Sequence, residues 1–390
     1  MRSTLRAVAG LGLATIVAYG SWFYAYGALI DPIAGDTGWR IGFLSGVFGA
    51  AQLGGSVLAI AGGRMLDRAG ARPALAVGGA AGGVLIALAA GGGPIRFAIG
   101  YGLGGSLVGG AGFYHVTLAA AARFSSERPE RSVTAVTVLG ALAAPVFLPL
   151  TAALAEARGW ETTVRILGVL TAVGLVTAAA VVPAGGRAPG KATPSTPTAA
   201  LRRVWGDRTA RWKLIAAPIA ALGYGILLVH QVPVMVAAGL PLTTAAAFAG
   251  ARGFAQLGGR LALVPVVARI GTPRTMTGAY LLGAAGAVVL AWAASPAAAV
   301  AYTVLAGLAI GAAPPLDAVY SAEVFDAATL GTLMGIQQLL SGIVMAVGPF
   351  LAGVVFDATG SHAFTIALSA AGFAGAAAAI ARAAAGRASA

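Results

Sequence analysis

The chain has 390 residues, 58% of them hydrophobic and 9% charged, with a mean hydropathy of +0.87 and a formal net charge of +13. This composition belongs to a polytopic membrane protein and not to a soluble core. With no cysteine, disulfides and thiolate metal sites are excluded; three histidines leave little for a metal constellation, and the positive charge is scattered over short segments rather than gathered with aromatics on a nucleic-acid-binding face.

In lipid every backbone polar group must be satisfied internally, and the apolar runs here are long rather than alternating, so each run of about 20 residues predicts a helix. Twelve spans follow, near residues 8–30, 40–62, 73–92, 94–122, 131–154, 162–182, 213–236, 242–264, 272–294, 296–320, 330–354 and 361–383. Arg2 and Arg6 precede the first run as they would in a secretory signal, but that run exceeds a signal core of about 7–15 residues and reads as a retained span. The first span is rich in aromatics, and Tyr19, Trp22, Phe23 and Tyr26 keep a spacing of three or four that puts them on one helical face. That face either lines a cavity or packs, and Asp31 stands at its outer end.

Between the second and third spans lies the polar island Gly63-Arg64-Met65-Leu66-Asp67-Arg68-Ala69-Gly70-Ala71-Arg72. A loop with three arginines must lie in water, and the positive charge puts it, and with it both chain termini, on the cytoplasmic side. The order Gly63, Asp67, Arg68, Gly70, Arg72 resembles the signature loop of the major facilitator superfamily of secondary transporters. The resemblance implies a gating role for these five residues. It also implies an all-α membrane protein of two pseudo-symmetric six-helix bundles in the inner membrane, expected as a monomer, without cofactor or metal and not an enzyme. Arg96 with Gly100 resembles the start of the family's fourth helix.

Residues 1–182 and 213–390 are the expected bundles, and 183–212, with Pro189, Pro194, Pro197 and a basic run, the expected flexible cytoplasmic linker. Its end, Arg202–Lys213, is expected along the anionic inner leaflet, with membrane lipid as a partner. The halves also repeat: Ala51-Gln52-Leu53-Gly54-Gly55 recurs as Ala255-Gln256-Leu257-Gly258-Gly259, and Arg68-Ala69-Gly70 as Arg269-Ile270-Gly271. Val264 and Ala268 replace Gly63 and Asp67 in the second copy, so any charge lock is confined to the first.

Within the eighth span, Arg252 lies ten residues after Leu242, about 15 Å along a helix and so at mid-bilayer. A cation there costs about 2.5–3.5 kcal/mol, so it calls for a polar cavity and an anionic partner, either the substrate or a protein group such as Asp317. Phe23-Tyr24-Ala25-Tyr26-Gly27, Arg123-Phe124 with Arg128 and Arg131, and His230-Gln231-Val232-Pro233 resemble the monocarboxylate and oxalate/formate branch. In that branch an arginine of the eighth helix binds the substrate carboxylate, which the resemblance carries to Arg252, and transport is coupled to protons. Phe248 stands where animal members often carry an aspartate.

The expected substrate-binding set is Arg252, His230, Tyr19, Trp22, Tyr26, Gln337 and Gln338, and the proton-coupling candidates are His230, His115, Asp31 and Asp317. The cargo is expected to be a small organic anion. Two other functions remain open: efflux of drug-like or other small metabolites, although Ala144-Pro145-Val146-Phe147-Leu148-Pro149 lacks the glycine-proline pattern of drug antiporters, and a transporter-like sensor.

Overall fold

The computed structural model describes residues 2–124, 129–184 and 197–388, and all regular elements among them are helical. Arg128 and the linker residues Pro189 and Pro194 lie outside the described residues, and of Asp67 only the backbone is described.

The first span runs unbroken through α1 (Arg2–Ala18), a π-helical stretch (Tyr19–Tyr24) and α2 (Ala25–Thr37), where Gly38 at φ 70° ends it. The next three spans are α3 (Ile41–Ala69), α4 (Ala71–Ala89), and α5 (Pro94–Gly112) continued after a break at Phe113 by α6 (Tyr114–Arg123). Then come α7 (Pro129–Gly140) and α8 (Ala143–Val181). At 39 residues α8 would be about 60 Å long if straight, roughly twice the hydrocarbon thickness, but Gly159 at φ 74° and ψ 163° breaks it into the C-terminal part of the fifth span and the sixth span.

Part of the expected linker is helical: α9 (Pro197–Gly206) precedes α10 (Arg208–Ala237), whose first turn is capped by the Asp207 carboxylate accepting from the Thr209 and Ala210 N–H groups. The eighth span is α11 (Leu242–Leu261) with α12 (Leu263–Ile270). The last four are α13 (Thr272–Val289), α14 (Pro296–Val324), α15 (Ala327–Thr359) and α16 (Ala363–Ala388), giving twelve helical spans among the described residues. Large apolar side chains such as Val57, Ile95, Val173 and Val264 are exposed, an arrangement suited to lipid.

The chain divides into two compact units, one of Met1–Gly190 with Pro241–Gly253, the other of Lys191–Leu240 with Phe254–Ala390. In each unit the repeated segments do equivalent work. Gly70 (φ 80°) and Gly271 (φ 79°) end α3 and α12 in a conformation that a side chain would strain, and each donates its N–H back into the helix, to Leu66 O and Val267 O. The repeated glycines are points of helix contact. A Cβ on Gly55 would meet the Ser106 carbonyl oxygen at 3.5 Å, and one on Gly259 would meet that of Leu308 at 2.4 Å.

The tightest of these approaches gives a direct test. A Cβ on Gly311 of α14 would lie 2.1 Å from the Gln256 carbonyl oxygen, so the two backbones must part to admit a methyl group, whereas Gly335 of α15 has nothing within 4 Å. Gly311→Ala should lower stability by about 1–3 kcal/mol, as overpacking does. Gly335→Ala should leave it unchanged or slightly raised. Thermal unfolding of the detergent-solubilised variants distinguishes them.

Candidate functional site

The loop after the second span is built by arginines that satisfy helix C-termini. Arg123 Nη1 donates to Leu66 O at the end of α3 (2.9 Å), and Arg72 Nε donates to Val182 O just past α8. Cations there also complement the negative end of the helix dipole. Arg68 is exposed, and Gly63 has no group within 4 Å of a built Cβ.

In the first unit the aromatic face of span one differs from the face an α-helix would make. Over Tyr19–Tyr24 the helix widens to i→i+5 bonding, shown by the Ala25 N–H donating to Gly20 O, so Tyr19 and Tyr24 come together with ring centroids 6.3 Å apart. Tyr19 stacks on Phe113 at 4.1 Å, beside the break between α5 and α6. Trp22 and Tyr26 are fully buried against Phe48, and the Tyr26 hydroxyl donates to Leu44 O at 2.6 Å. Tyr24, which three-and-four spacing leaves off the face, is the ring that meets the buried arginine: the Arg252 guanidinium carbon stands 5.7 Å from its centroid.

Arg252 is completely buried. Its segment of α11 is seated on α8 through glycines: Gly250 lies against Pro149, and a Cβ on Gly253 would lie 2.4 Å from Pro145 Cδ. In the first turn of α11 the Thr243 N–H donates to Glu156 (3.2 Å). Small residues and prolines thus let α11 approach closely enough to carry a guanidinium onto an aromatic face, an attraction worth about 2 kcal/mol when desolvated. Asp31 is half-buried in α2, and His115 is exposed at the start of α6, its Nε2 3.3 Å from Gly110 O.

The second unit holds a polar cluster that connects three spans. Lys213, expected on the cytoplasmic surface, is instead fully buried in α10, because the residues around it pack against α14 and α15. Its Nζ donates to Asp317 Oδ1 (2.7 Å), Ser321 Oγ (2.8 Å) and Gln337 Oε1 (3.2 Å), and Gln337 Nε2 donates to the other Asp317 oxygen. An ammonium has three protons, and all three are used. Gln338, one residue on, is exposed.

His230 is buried in α10 with Nε2 3.1 Å from the Pro349 carbonyl oxygen, and its ring is 6.3 Å from that of His362, which precedes α16 and stacks on Phe356 at 4.2 Å. Gln231 beside it accepts a bond from the Tyr302 hydroxyl. Thus Arg252 and the first-span aromatics belong to one unit, while His230, Gln337 and Asp317 belong to the other.

His362 lies outside the spans, and burial, with the neighbouring His230 adding to it, pushes its imidazolium down to about 4. Its folded value is below the ordinary value near 6.5, so the unfolded chain takes up the proton first. Its contribution to stability is therefore full above about pH 6.5 and lost as the pH falls toward 4. Melting curves across that window should show a shallower decline for His362→Gln than for the natural chain.

Sequence reasoning missed Tyr24, Lys213 and Ser321. Tyr24 has no signal in three-and-four spacing. Lys213 has one in its apolar neighbours Leu214 and Ile215, which set it apart from the arginines before it.

A family model described as Major Facilitator Superfamily matches residues 11–262. Among solved structures, a mutant of the nucleoside transporter NupG aligns with TM-score 0.77 at 14% identity over 99% of both chains. A bacterial homolog of the human lysosomal transporter Spinster, inward-facing and unoccupied, aligns with TM-score 0.68 at 14% identity over 99% of this chain and 96% of that one. Tetrameric PepTSo2 aligns with TM-score 0.69 at 16% identity over 99% and 98%. No curated protein sequence matches.

Proposed function

This chain belongs to the major facilitator superfamily, and from that premise we propose that it is a secondary active transporter of a small organic anion, a monocarboxylate, working by alternating access and coupled to protons. The observation that carries the anion reading is the wholly buried Arg252 against Tyr24 within a membrane span. A guanidinium matches a carboxylate through two parallel N–H bonds, keeps its charge at every relevant pH and stacks on an aromatic face, so Arg252 and Tyr24 together offer an anion site with an apolar wall. Tyr19, Trp22 and Tyr26 belong to the same aromatic group and shape that wall; His230, Gln337 and Gln338 complete the proposed substrate-binding residues. The positively charged loops support an inner-membrane protein with both termini in the cytoplasm, and the Gly63–Arg72 loop, with Asp67, Arg68 and Gly70, is the proposed gate.

For the proton we favour Asp317 over His230, His115 and Asp31. Its carboxylate neutralises a buried ammonium while its side chain keeps 17% of its exposure, so a proton arriving from water would cancel the attraction holding Lys213. Uptake of radiolabelled monocarboxylates into proteoliposomes, with and without an inward-acid gradient, tests both the cargo and the coupling. Absence of saturable uptake for every carboxylate tried would reject this reading and leave a small-molecule carrier of other cargo, or a sensor.

A further inference from the structure

The amphipathic helix α9 has its apolar side already covered. Ala200 and Val204 are buried with Ala210, Leu214, Phe325 and Leu333, and Leu201 packs beside them. Its outer side therefore has a fixed direction, and what it presents is cationic and aromatic together. Arg202 and Trp205, three residues apart, are both exposed, Trp205 by 57%. Arg211 of α10 donates from Nη1 to the Trp205 carbonyl oxygen (3.4 Å), which brings a second guanidinium to the same place.

The end of α16 extends the patch. Arg382 lies over the Trp212 ring, 4.8 Å from its centroid, and the Thr209 hydroxyl donates to Ala383 O (3.1 Å). Arg208 is exposed beside these groups. Two acidic side chains are close by and both are engaged: Asp207 caps α10, and Asp326 lies 3.8 Å from Arg203. The patch is thus strongly positive, and it stands where the apolar candidate span Arg208–Ala237 begins.

We propose that this face is a docking surface for anionic phospholipid, with Arg202 and Arg211 holding headgroup phosphates and Trp205 inserted between headgroup and acyl chain. A cytosolic acidic protein would use the arginines as readily, but it gives no reason for a bare indole at the membrane boundary, where tryptophan is at home. The site is independent of the cargo. Its phosphate contacts rest on charge, with each arginine near an anionic surface adding about 1 kcal/mol, or about fivefold in preference.

The full chain is reconstituted in phosphatidylcholine bilayers containing phosphatidylglycerol, one lipid or the other brominated near the carbonyl end of its chains. The difference in emission between the natural chain and Trp205→Phe isolates Trp205. Brominated phosphatidylglycerol should quench this signal more strongly than brominated phosphatidylcholine. That preference should weaken with added salt and fall about fivefold or more in Arg202→Gln/Arg211→Gln. Equal quenching by the two lipids, no quenching by either, or a preference unchanged in the double variant would overturn the proposal. So would loss of the preference on adding millimolar inorganic phosphate at constant ionic strength, which would mark a site for free anions. The salt titration on the natural chain keeps the test decisive if the double variant does not fold.

Discussion

Replacing Arg252 by alanine is expected to reduce saturable monocarboxylate uptake by at least about 30-fold, because truncating one partner of a desolvated, hydrogen-bonded charge pair costs about 2–5 kcal/mol or more. The side chain is fully buried against the Tyr24 ring. Its loss therefore removes the anion's partner without giving water an easy route to replace it. Arg252→Lys keeps the charge but loses the planar fork, and should recover only a small part of the activity. Tyr24→Leu should raise the half-saturation concentration while leaving the maximal rate less affected. Equal affinity and rate for Arg252→Ala and the natural chain would remove the arginine from the site. A folded Arg252→Ala protein, shown by an unchanged elution profile and melting temperature, is the control that separates binding from assembly.

The second large effect is expected at Lys213. Lys213→Ala leaves Asp317 without its partner and Gln337 without one of its bonds, and breaking a buried pair in this way costs about 3–5 kcal/mol. Lys213→Met/Asp317→Leu removes both charges together, so it should recover most of that loss, since well-packed apolar replacements of buried pairs are often neutral. Melting temperatures of Lys213→Met, Asp317→Leu, the double variant and the natural chain complete a cycle whose coupling term isolates the pair. Asp317→Asn serves a different purpose. It mimics the protonated carboxyl, and an inward-acid gradient should then no longer accelerate uptake while exchange of labelled for unlabelled substrate continues. Retained acceleration would remove Asp317 as the coupling group.

The spans and the repeat were legible because each leaves a strong linear signal. Hydrophobic length marks a helix in lipid, and the recurrence of Ala-Gln-Leu-Gly-Gly marks a packing face used once in each unit. The burial of Arg252 was legible for the opposite reason, as a cation that lipid would not solvate and that therefore had to face the protein interior. Tyr24 was hidden because a change from i→i+4 to i→i+5 bonding has no compositional mark, yet it re-aims each ring downstream. Lys213 was hidden because charge near a linker suggests water, and only the depth of Asp317, more than a hundred residues later, shows where the ammonium goes. The helical character of α9 could have been read from Ala200, Leu201 and Val204, which fall on one face, but the prolines upstream suggested a disordered tether.

The widened turn in the first span has a consequence for kinship. It accommodates one residue more than an ordinary turn would, so Tyr24 owes its place beside Arg252 to a single added link of chain. A relative that had lost that link would keep the same greasy profile through this segment, and even the same tally of rings, while a different ring, or none, faced the guanidinium. Selectivity could therefore diverge between close cousins by deletion rather than by exchange of residues, in a way that substitution scores barely register.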